Sequence, residues 1–397
     1  MKPIVRDWEE VVEEGKARII IPKRSLYVRE DLVYEPAWSP VFYNPVMRVS
    51  RDLTVLVARS VYGSSSYFFI DALGGTGVRG IRLALETQGY GIVNDVDPIA
   101  YYYISRNIEY NRVENRVKPL MCEANVLLNN YTFSGIPVDY IDIDPYGSPI
   151  PFIDSAVKPL AKQALLGVTA TDTAPLVCSH ARKTLRRYNV NCAKVDFEKE
   201  LGIRNLIFNL VFRGAAQDRA LKPILSYSHR HYFRVFFRTE RSGSKSYELM
   251  ERCRGYIWFC PSTLERGYLK NPADRVECSK PEEPLILGPT WICRLGDPEF
   301  AKQVLALAKK EADALVSRET VKILEILVDE YRIVSPYVRY DKLFGVLKKN
   351  MPPIREFIKY LREHGFEAYR THFDQRGIKT SASLAELYEI LGRDEYD

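Results

Sequence analysis

The apolar residues of this chain keep two rhythms, and the stretch 67–171 carries them in alternation. Tyr67-Phe-Phe-Ile-Asp-Ala-Leu73 is a compact apolar run of the kind a buried strand shows. A glycine-rich turn, Gly74-Gly-Thr-Gly-Val-Arg-Gly80, follows, and residues 81–87 continue as a helix. Residues 91–96 read as a second strand ending in acid, and Pro98 opens a helix that reaches about residue 111. Residues 117–122 are a third strand, closed by Glu123-Ala-Asn125. Residues 138–144 are a fourth and 164–171 a fifth. Strands separated by helices predict a parallel, doubly wound sheet with right-handed crossovers. Residues 224–240 hold strands with no long helix between them, so a terminal antiparallel hairpin is expected to finish the sheet.

Upstream, residues 17–22 form a short strand. The loop Trp38-Ser-Pro-Val-Phe-Tyr-Asn-Pro45 is stiffened by two prolines. Residues 50–59 read as a helix capped by Ser50. Downstream, Arg241-Ser-Gly-Ser-Lys-Ser is the best linker candidate, polar and free of apolar side chains. A stretch punctuated by Pro, Cys and Gly then runs to about residue 296. Helices are predicted near 298–317, 319–331, 340–350 and 352–365. The expected architecture is an α/β, class I (Rossmann-like) domain with an N-terminal extension in residues 1–240, and a C-terminal α+β domain in 241–397.

A chain of 397 residues is too long for one ordinary core, which agrees with two domains. No apolar run approaches the roughly 20 residues that span a bilayer. The first residues hold no segment of signal-peptide type, so a soluble cytoplasmic protein is expected. A net charge of +6 permits a polyanionic partner without demanding one. Basic residues cluster locally: Arg182, Lys183, Arg186 and Arg187 share one predicted helix surface. Arg230, Arg234 and Arg238 alternate through an aromatic-rich strand. The seven cysteines lack the close pairs of a disulfide framework or a zinc site, and buried structural thiols are expected. Disulfides are the alternative if the source is hyperthermophilic. His180, His229, His231, His364 and His372 lie in no ligand or nucleophile pattern, and Ser148 is not in a nucleophile elbow.

The candidate chemistry sits at the strand ends. Gly75, Gly77 and Gly80 satisfy the dinucleotide fingerprint formally, which is a weak signal. Asp71 stands four residues before Gly75, where a carboxylate repels a pyrophosphate but helps hold an ammonium. Asp95, Glu123 and Asp144 close the next three strands. A rim of acids suits S-adenosylmethionine, with its sulfonium, ammonium and ribose hydroxyls, better than a diphosphate. Asp95 is placed to grip the ribose diol, Glu123 to accept from the adenine amino group, and Ala124 to offer backbone contacts. Thr76 and Gly77 in the turn, and Val96 beside Asp95, complete the candidate cofactor set. Each acid taken singly is also a plausible helix cap.

Asp144-Pro-Tyr146 joins an acceptor carboxylate, a stiff carbonyl and an aromatic plate. That trio suits a flat base carrying an exocyclic amine. Such an amine is a poor nucleophile, and acceptors on its N–H groups help it toward the transition state. Asp144 is therefore the candidate catalytic carboxylate, with the Pro145 carbonyl as second acceptor. Tyr146 and Phe42 are candidate stacking walls for a base drawn out of an RNA helix. Asp142, deeper on the same strand, reads as structural.

Several long motifs resemble the tRNA (guanine-N2)-dimethyltransferase family, archaeal branch. They are Val41-Phe-Tyr-Asn-Pro45 with Arg51-Asp52, Asp71 to Gly80, Asn94-Asp95, Asp142-Ile-Asp-Pro-Tyr-Gly-Ser-Pro149, and Val168-Thr-Ala-Thr-Asp-Thr-Ala-Pro175. The likeness continues at His231-Tyr-Phe-Arg234, Gly365-Phe-Glu-Ala-Tyr-Arg-Thr-His-Phe373 and Gly377-Ile-Lys-Thr380, and so covers nearly the whole chain. It implies a class I methyltransferase acting on guanine 26 of tRNA, with S-adenosyl-L-methionine as cofactor. The implied cofactor contacts are Arg51, Arg79, Asp95, Glu123 and Ala124. Asp144 is the implied catalytic carboxylate, with Phe42 and Tyr146 around the guanine. Glu123 stands where the family usually has Asp, and Tyr146 where Phe is commoner. Paired cysteines of some members are here the isolated Cys253, Cys260, Cys278 and Cys293, so no metal is expected. Residues 241–397 are the expected tRNA-binding domain, and the protein is expected to be a monomer. Rival readings are methylation of another RNA guanine or a DNA amine, an NAD(P)-dependent oxidoreductase, and a silent RNA-binding module.

Overall fold

The computed structural model describes residues 3–312 and 314–393. A hairpin of β1 (Glu9–Glu14) and β2 (Ala17–Pro22) turns at Gly15, whose φ of +56° suits a residue without a Cβ. Helix α1 (Arg48–Tyr62) leads into β3 (Tyr67–Asp71), α2 (Val78–Glu86), β4 (Gly89–Asn94) and α3 (Pro98–Tyr110). Then come β5 (Val117–Leu120), α4 (Ala124–Ser134), β6 (Val138–Ile143), α5 (Ile150–Val157) and β7 (Leu160–Ala170). Local signals set these bounds. Asp97 caps α3 through the Ile99 amide ahead of Pro98, and Glu123 caps α4 through the Val126 amide.

Next are α6 (Thr173–Leu176), α7 (Ala181–Tyr188) and α8 (Glu198–Ala215), followed by β8 (Arg219–His229) and β9 (Tyr232–Arg241), joined by a two-residue turn. The chain continues through α9 (Gly243–Cys253), β10 (Arg254–Phe259), β11 (Arg266–Leu269), β12 (Leu285–Trp291), α10 (Pro298–Glu311) and α11 (Arg318–Glu330). It ends with β13 (Val338–Arg339), α12 (Tyr340–Leu347), α13 (Ile354–Glu363), β14 (Ala368–Arg370), β15 (Gly377–Thr380) and α14 (Leu384–Arg393).

The large sheet has the order β5-β4-β3-β6-β7-β9-β8, and β5 through β7 pair in parallel. From β3 the chain runs outward to β4 and β5, then returns to the other side of β3 with β6 and β7. The order therefore reverses between β3 and β6, which opens a crevice at their carboxyl ends. The parallel sheet with its closing hairpin is the one expected from the sequence.

Two compact units are distinguished. The first holds the chain up to Thr169 with Phe236–Arg241 and Lys302–Lys322. The second holds Ala170–Val235, Ser242–Ala301 and the chain from Ile323 onward. In the first, Ile20, Val41, Ala100 and Tyr103 form a buried cluster that ties the N-terminal hairpin to the loop before α1. A buried ionic network lies in the same unit. Arg82 bonds Glu14 (3.0 Å), Asp52 (2.6 Å) and Glu86 (2.8 Å), and Arg51 bonds Glu14 at 2.6 Å. The second unit is α+β, with small sheets β11-β10-β12 and β13-β15-β14. Its buried charges are paired too: Glu200 meets Arg204 and Lys379, each at 2.7 Å.

Four local expectations change. The helix expected to begin at Ser50 begins at Arg48, and Ser50 lies buried inside it. The polar stretch 241–246 is no open linker: Ser242 caps α9 by accepting from the Lys245 amide. Arg234 is fully buried rather than part of a basic surface. The cysteines expected as thiols are mostly disulfides, namely Cys178–Cys192, Cys253–Cys293 and Cys260–Cys278, with Cys122 free. Spacing hid these pairs because tertiary folding creates them, in one case through strand register. Arg254 lies opposite Trp291, which brings the Cα atoms of Cys253 and Cys293 within 5.1 Å. Asp313, inside the helical span expected at 298–317, lies outside the described residues. Among the described residues no helix is long and apolar enough to cross a membrane.

Candidate active site

At the crevice, β3 and β6 are in parallel register with Asp71 beside Asp142. Both carboxylates are buried, and Asp144 stands two residues further along, at the lip, with 15% of its side chain exposed. Arg79, the second residue of α2, reaches this group from the opposite wall. Its Nε lies 3.3 Å from Asp142, its Nη2 bonds Asp144, and its Nη1 donates to the Thr54 hydroxyl at 2.6 Å. Gly80 is what lets α2 approach so closely, since a Cβ there would fall 2.2 Å from Val93 Cγ2. One guanidinium thus serves two carboxylates while Asp71 faces the cluster with neither oxygen in a hydrogen bond.

The glycine turn is built for close approach. Gly75 has φ +56°, and a Cβ there would come within 3.1 Å of the Phe42 carbonyl oxygen. Its amide donates to Asp95 at 2.9 Å, and the Asp97 amide donates to the other Asp95 oxygen at 3.1 Å. Each of those oxygens keeps a lone pair for a further donor. Gly77 caps α2 in the left-handed region, and the buried Thr76 hydroxyl has no hydrogen-bond partner. Val96 is exposed beside Asp95, Ala124 is buried in the first turn of α4, and Glu123 is exposed. Glu123 therefore fills the cap role that each rim acid was also allowed. Arg51 is turned toward Glu14 and the Asn44 carbonyl.

Phe42 and Tyr146, far apart in sequence, come together at the mouth with ring centroids 6.1 Å apart and planes at 77°. Alternation explains how Phe42 is aimed. Val41 and Tyr43 on either side are buried, and Tyr43 donates to Glu14, so the residue between them turns outward. Tyr146 is 85% exposed and the Pro145 beneath it is buried. Sequence reasoning missed the support around this group. Asn94 donates to the carbonyls of Ala72 (3.0 Å) and Cys122 (2.9 Å), and Ser50 and Thr54 sit under Arg79. Asn94 closes a strand just before an acid, the one signal that pointed there.

Residues 15–392 match the family described as N2,N2-dimethylguanosine tRNA methyltransferase. The chain belongs to that family. It is 39% identical over 385 residues to the tRNA (guanine(26)-N(2))-dimethyltransferase of Sulfurisphaera tokodaii, covering 96% of this chain and 98% of the relative. It is 34% identical over 393 residues to the tRNA (guanine(26)-N(2)/guanine(27)-N(2))-dimethyltransferase of Aquifex aeolicus, covering 96% and 95%. The structure of Trm1 from Pyrococcus horikoshii with S-adenosyl-L-methionine superposes with a TM-score of 0.82 at 31% identity, over 96% of this chain and 99% of that one.

In this family member the buried carboxyl of Asp71 is expected to titrate above the usual carboxylate range. Burial pushes its carboxyl up to about 7; Arg79 opposes the shift, and Asp142 and Asp144 reinforce it. The folded protein then binds a proton that the unfolded chain has released, so this group lowers stability as pH rises from about 4 to 7. Asp71→Asn removes the titration. It is expected to melt above the parent at pH 8, with the gap closing toward pH 4. Parallel pH-dependence in the two proteins would show that Asp71 does not titrate in that window.

Proposed function

We propose that the chain transfers methyl groups from S-adenosyl-L-methionine to N2 of guanine 26 in tRNA, first giving N2-methylguanosine and then N2,N2-dimethylguanosine. The observation that carries this reading is the meeting of Asp144, Arg79 and the Phe42–Tyr146 pair at the sheet's switch point, in a chain of this family.

The residues fit the cofactor. The buried, unpartnered carboxylate of Asp71 and the unpartnered Thr76 hydroxyl suit an ammonium at the glycine turn. Asp95 and Glu123 retain acceptor capacity for ribose hydroxyls and the adenine amine, with Gly77, Val96 and Ala124 beside them. Arg79, already bonded to Asp142 and Asp144, and Arg51, bonded to Glu14, stand behind the turn as part of its charge network rather than as free cations. When bound, S-adenosyl-L-methionine supplies an electrophilic methyl on sulfur.

The chain's own groups prepare the nucleophile. Phe42 and Tyr146 line the mouth with aromatic surface on which the flipped base can stack, a contact worth about 1–3 kcal/mol per base. Asp144 and the Pro145 carbonyl accept from the amine and orient its lone pair. Positive charge that develops on nitrogen is stabilised by the carboxylate, which then takes up the proton. Arg79 fixes Asp144 from behind and keeps two neighbouring carboxylates from repelling each other. We assign residues 1–240 to this chemistry and 241–397 to tRNA binding, and take the protein to act as a cytoplasmic monomer.

The test is mass spectrometry of nucleosides from a tRNA transcript incubated with protein and methyl donor. Both methylated guanosines are expected, and both should vanish when guanine 26 is changed to adenine. Methylation that persists in the altered transcript would move the target to another guanine. Absence of methylation in the guanine-26 transcript itself would overturn the reading.

A further inference from the structure

The second unit contains a cavity of about 600 Å³, within the usual range of ligand pockets. Its charges do not balance once existing pairs are removed. Arg339 is held by Asp341 at 2.7 Å and faces Asp374 at 3.8 Å, while Asp196 is held by Arg266 at 2.8 Å. What remains is Lys194, Lys199 and Lys342, against Glu198. None of these three lysines has an ion-pair partner among the described residues, and all three are exposed. Their positive charge is therefore presented rather than spent inside the fold. The remaining wall is apolar, formed by Phe259, Leu264 and Val346. The first turn of α8 also reaches the cavity through Glu198 and Lys199, and its cap residue Phe197 supplies no side-chain acceptor to the helix amides.

Three cations, two at or just before the start of α8 and one on α12, around a cavity with an apolar wall suit a phosphate-bearing, partly apolar ligand. An RNA nucleotide has that character: phosphates for the lysines, and ribose and base for the wall. Resting on the function proposed above, we infer that this cavity is a second RNA subsite, which seats a tRNA nucleotide other than the reacting guanine through its phosphates. It acts on affinity and register, not on the methyl-transfer step.

The experiment compares the parent with Lys194→Gln/Lys199→Gln/Lys342→Gln, using the guanine-26 transcript as probe. Each lost phosphate contact removes roughly 0.7–0.9 from the slope of log affinity against log salt, so the slope should fall by about two to three. KM for tRNA should rise at least tenfold, with kcat at saturating tRNA and methyl-donor affinity unchanged. A control, Lys222→Gln/Lys280→Gln/Lys359→Gln, removes the same charge from lysines of this unit that do not line the cavity, and is expected to shift KM far less. Gly345→Phe tests the seat without altering charge. Gly345 lines the cavity, is exposed on α12, and has open space where a Cβ would go. It should raise KM as well. Equal effects from the two lysine triples would overturn the subsite, since attraction would then be diffuse. So would an unmoved KM in either cavity variant. If the parent fails to methylate the transcript, it is the functional reading that falls.

Discussion

Asp144→Ala should lower kcat for methyl transfer by roughly 10²–10⁴-fold, the usual worth of a positioned proton acceptor. Affinity for the methyl donor should stay within about twofold. The expectation rests on what the substitution leaves behind. Arg79 loses one carboxylate but keeps Asp142 at 3.3 Å and the Thr54 hydroxyl at 2.6 Å, so no buried cation is stranded and the fold should hold. Asp144→Asn separates charge from shape: it keeps an oxygen acceptor at the lip but cannot take the proton. It should be nearly as inactive as the alanine variant if proton uptake matters, and partly active if only orientation matters. Single-turnover methylation with labelled donor, alongside calorimetric titration of the donor, provides both readouts. Turnover at the parent's rate in the alanine variant would remove Asp144 from the chemistry.

Arg82→Met should be the most damaging substitution away from the crevice. The guanidinium is fully buried and holds Glu14, Asp52 and Glu86 together. Removing one partner of a buried ionic group costs about 3–5 kcal/mol, because the partners stay behind uncompensated. For a chain of this size the melting temperature should fall by about 4–6 °C. The acid limb should change as well. Burial alone would raise the Glu14 carboxyl, but Arg51 and Arg82 hold it at about 2, below its usual 4.5. Its contribution is therefore present above pH 4.5 and lost as pH falls toward 2. Without Arg82 the Glu14 carboxyl should move back toward 4.5, so this contribution should shrink and its loss should be complete at a higher pH. Thermal melts from pH 3 to 8 test both statements, and a variant that melts with the parent throughout would show that the network contributes little.

The sheet was legible because its central strands β3 and β6 are short apolar runs closed by an acid and followed by a glycine-bearing turn. The hairpin of β8 and β9 was legible because no helical spacing separates them. Less legible was whatever depends on register. Ser50 has the chemistry of a cap, yet the helix starts two residues earlier and uses that hydroxyl beneath Arg79. Cys253 and Cys293 met through the β10–β12 pairing, which the sequence does not state. At the site, the residue types announced acceptors and aromatic plates, and so named Phe42 with Tyr146. Which carboxylate Arg79 would take was not written there, because two acids in alternate positions on one strand offer it equal chemistry. Arg51 reads as a free cation until β1 brings Glu14 against it.

The side-chain amide of Asn94 bonds the first carbonyl beyond β3 and one just past β5, and its own backbone ends β4. Three loops leaving neighbouring strands are thereby riveted at one point. They cannot gape singly: loosening any of them strips a donor that also steadies another. The crevice floor should therefore breathe as one plate, and hydrogen exchange along these three loops should share a common opening event.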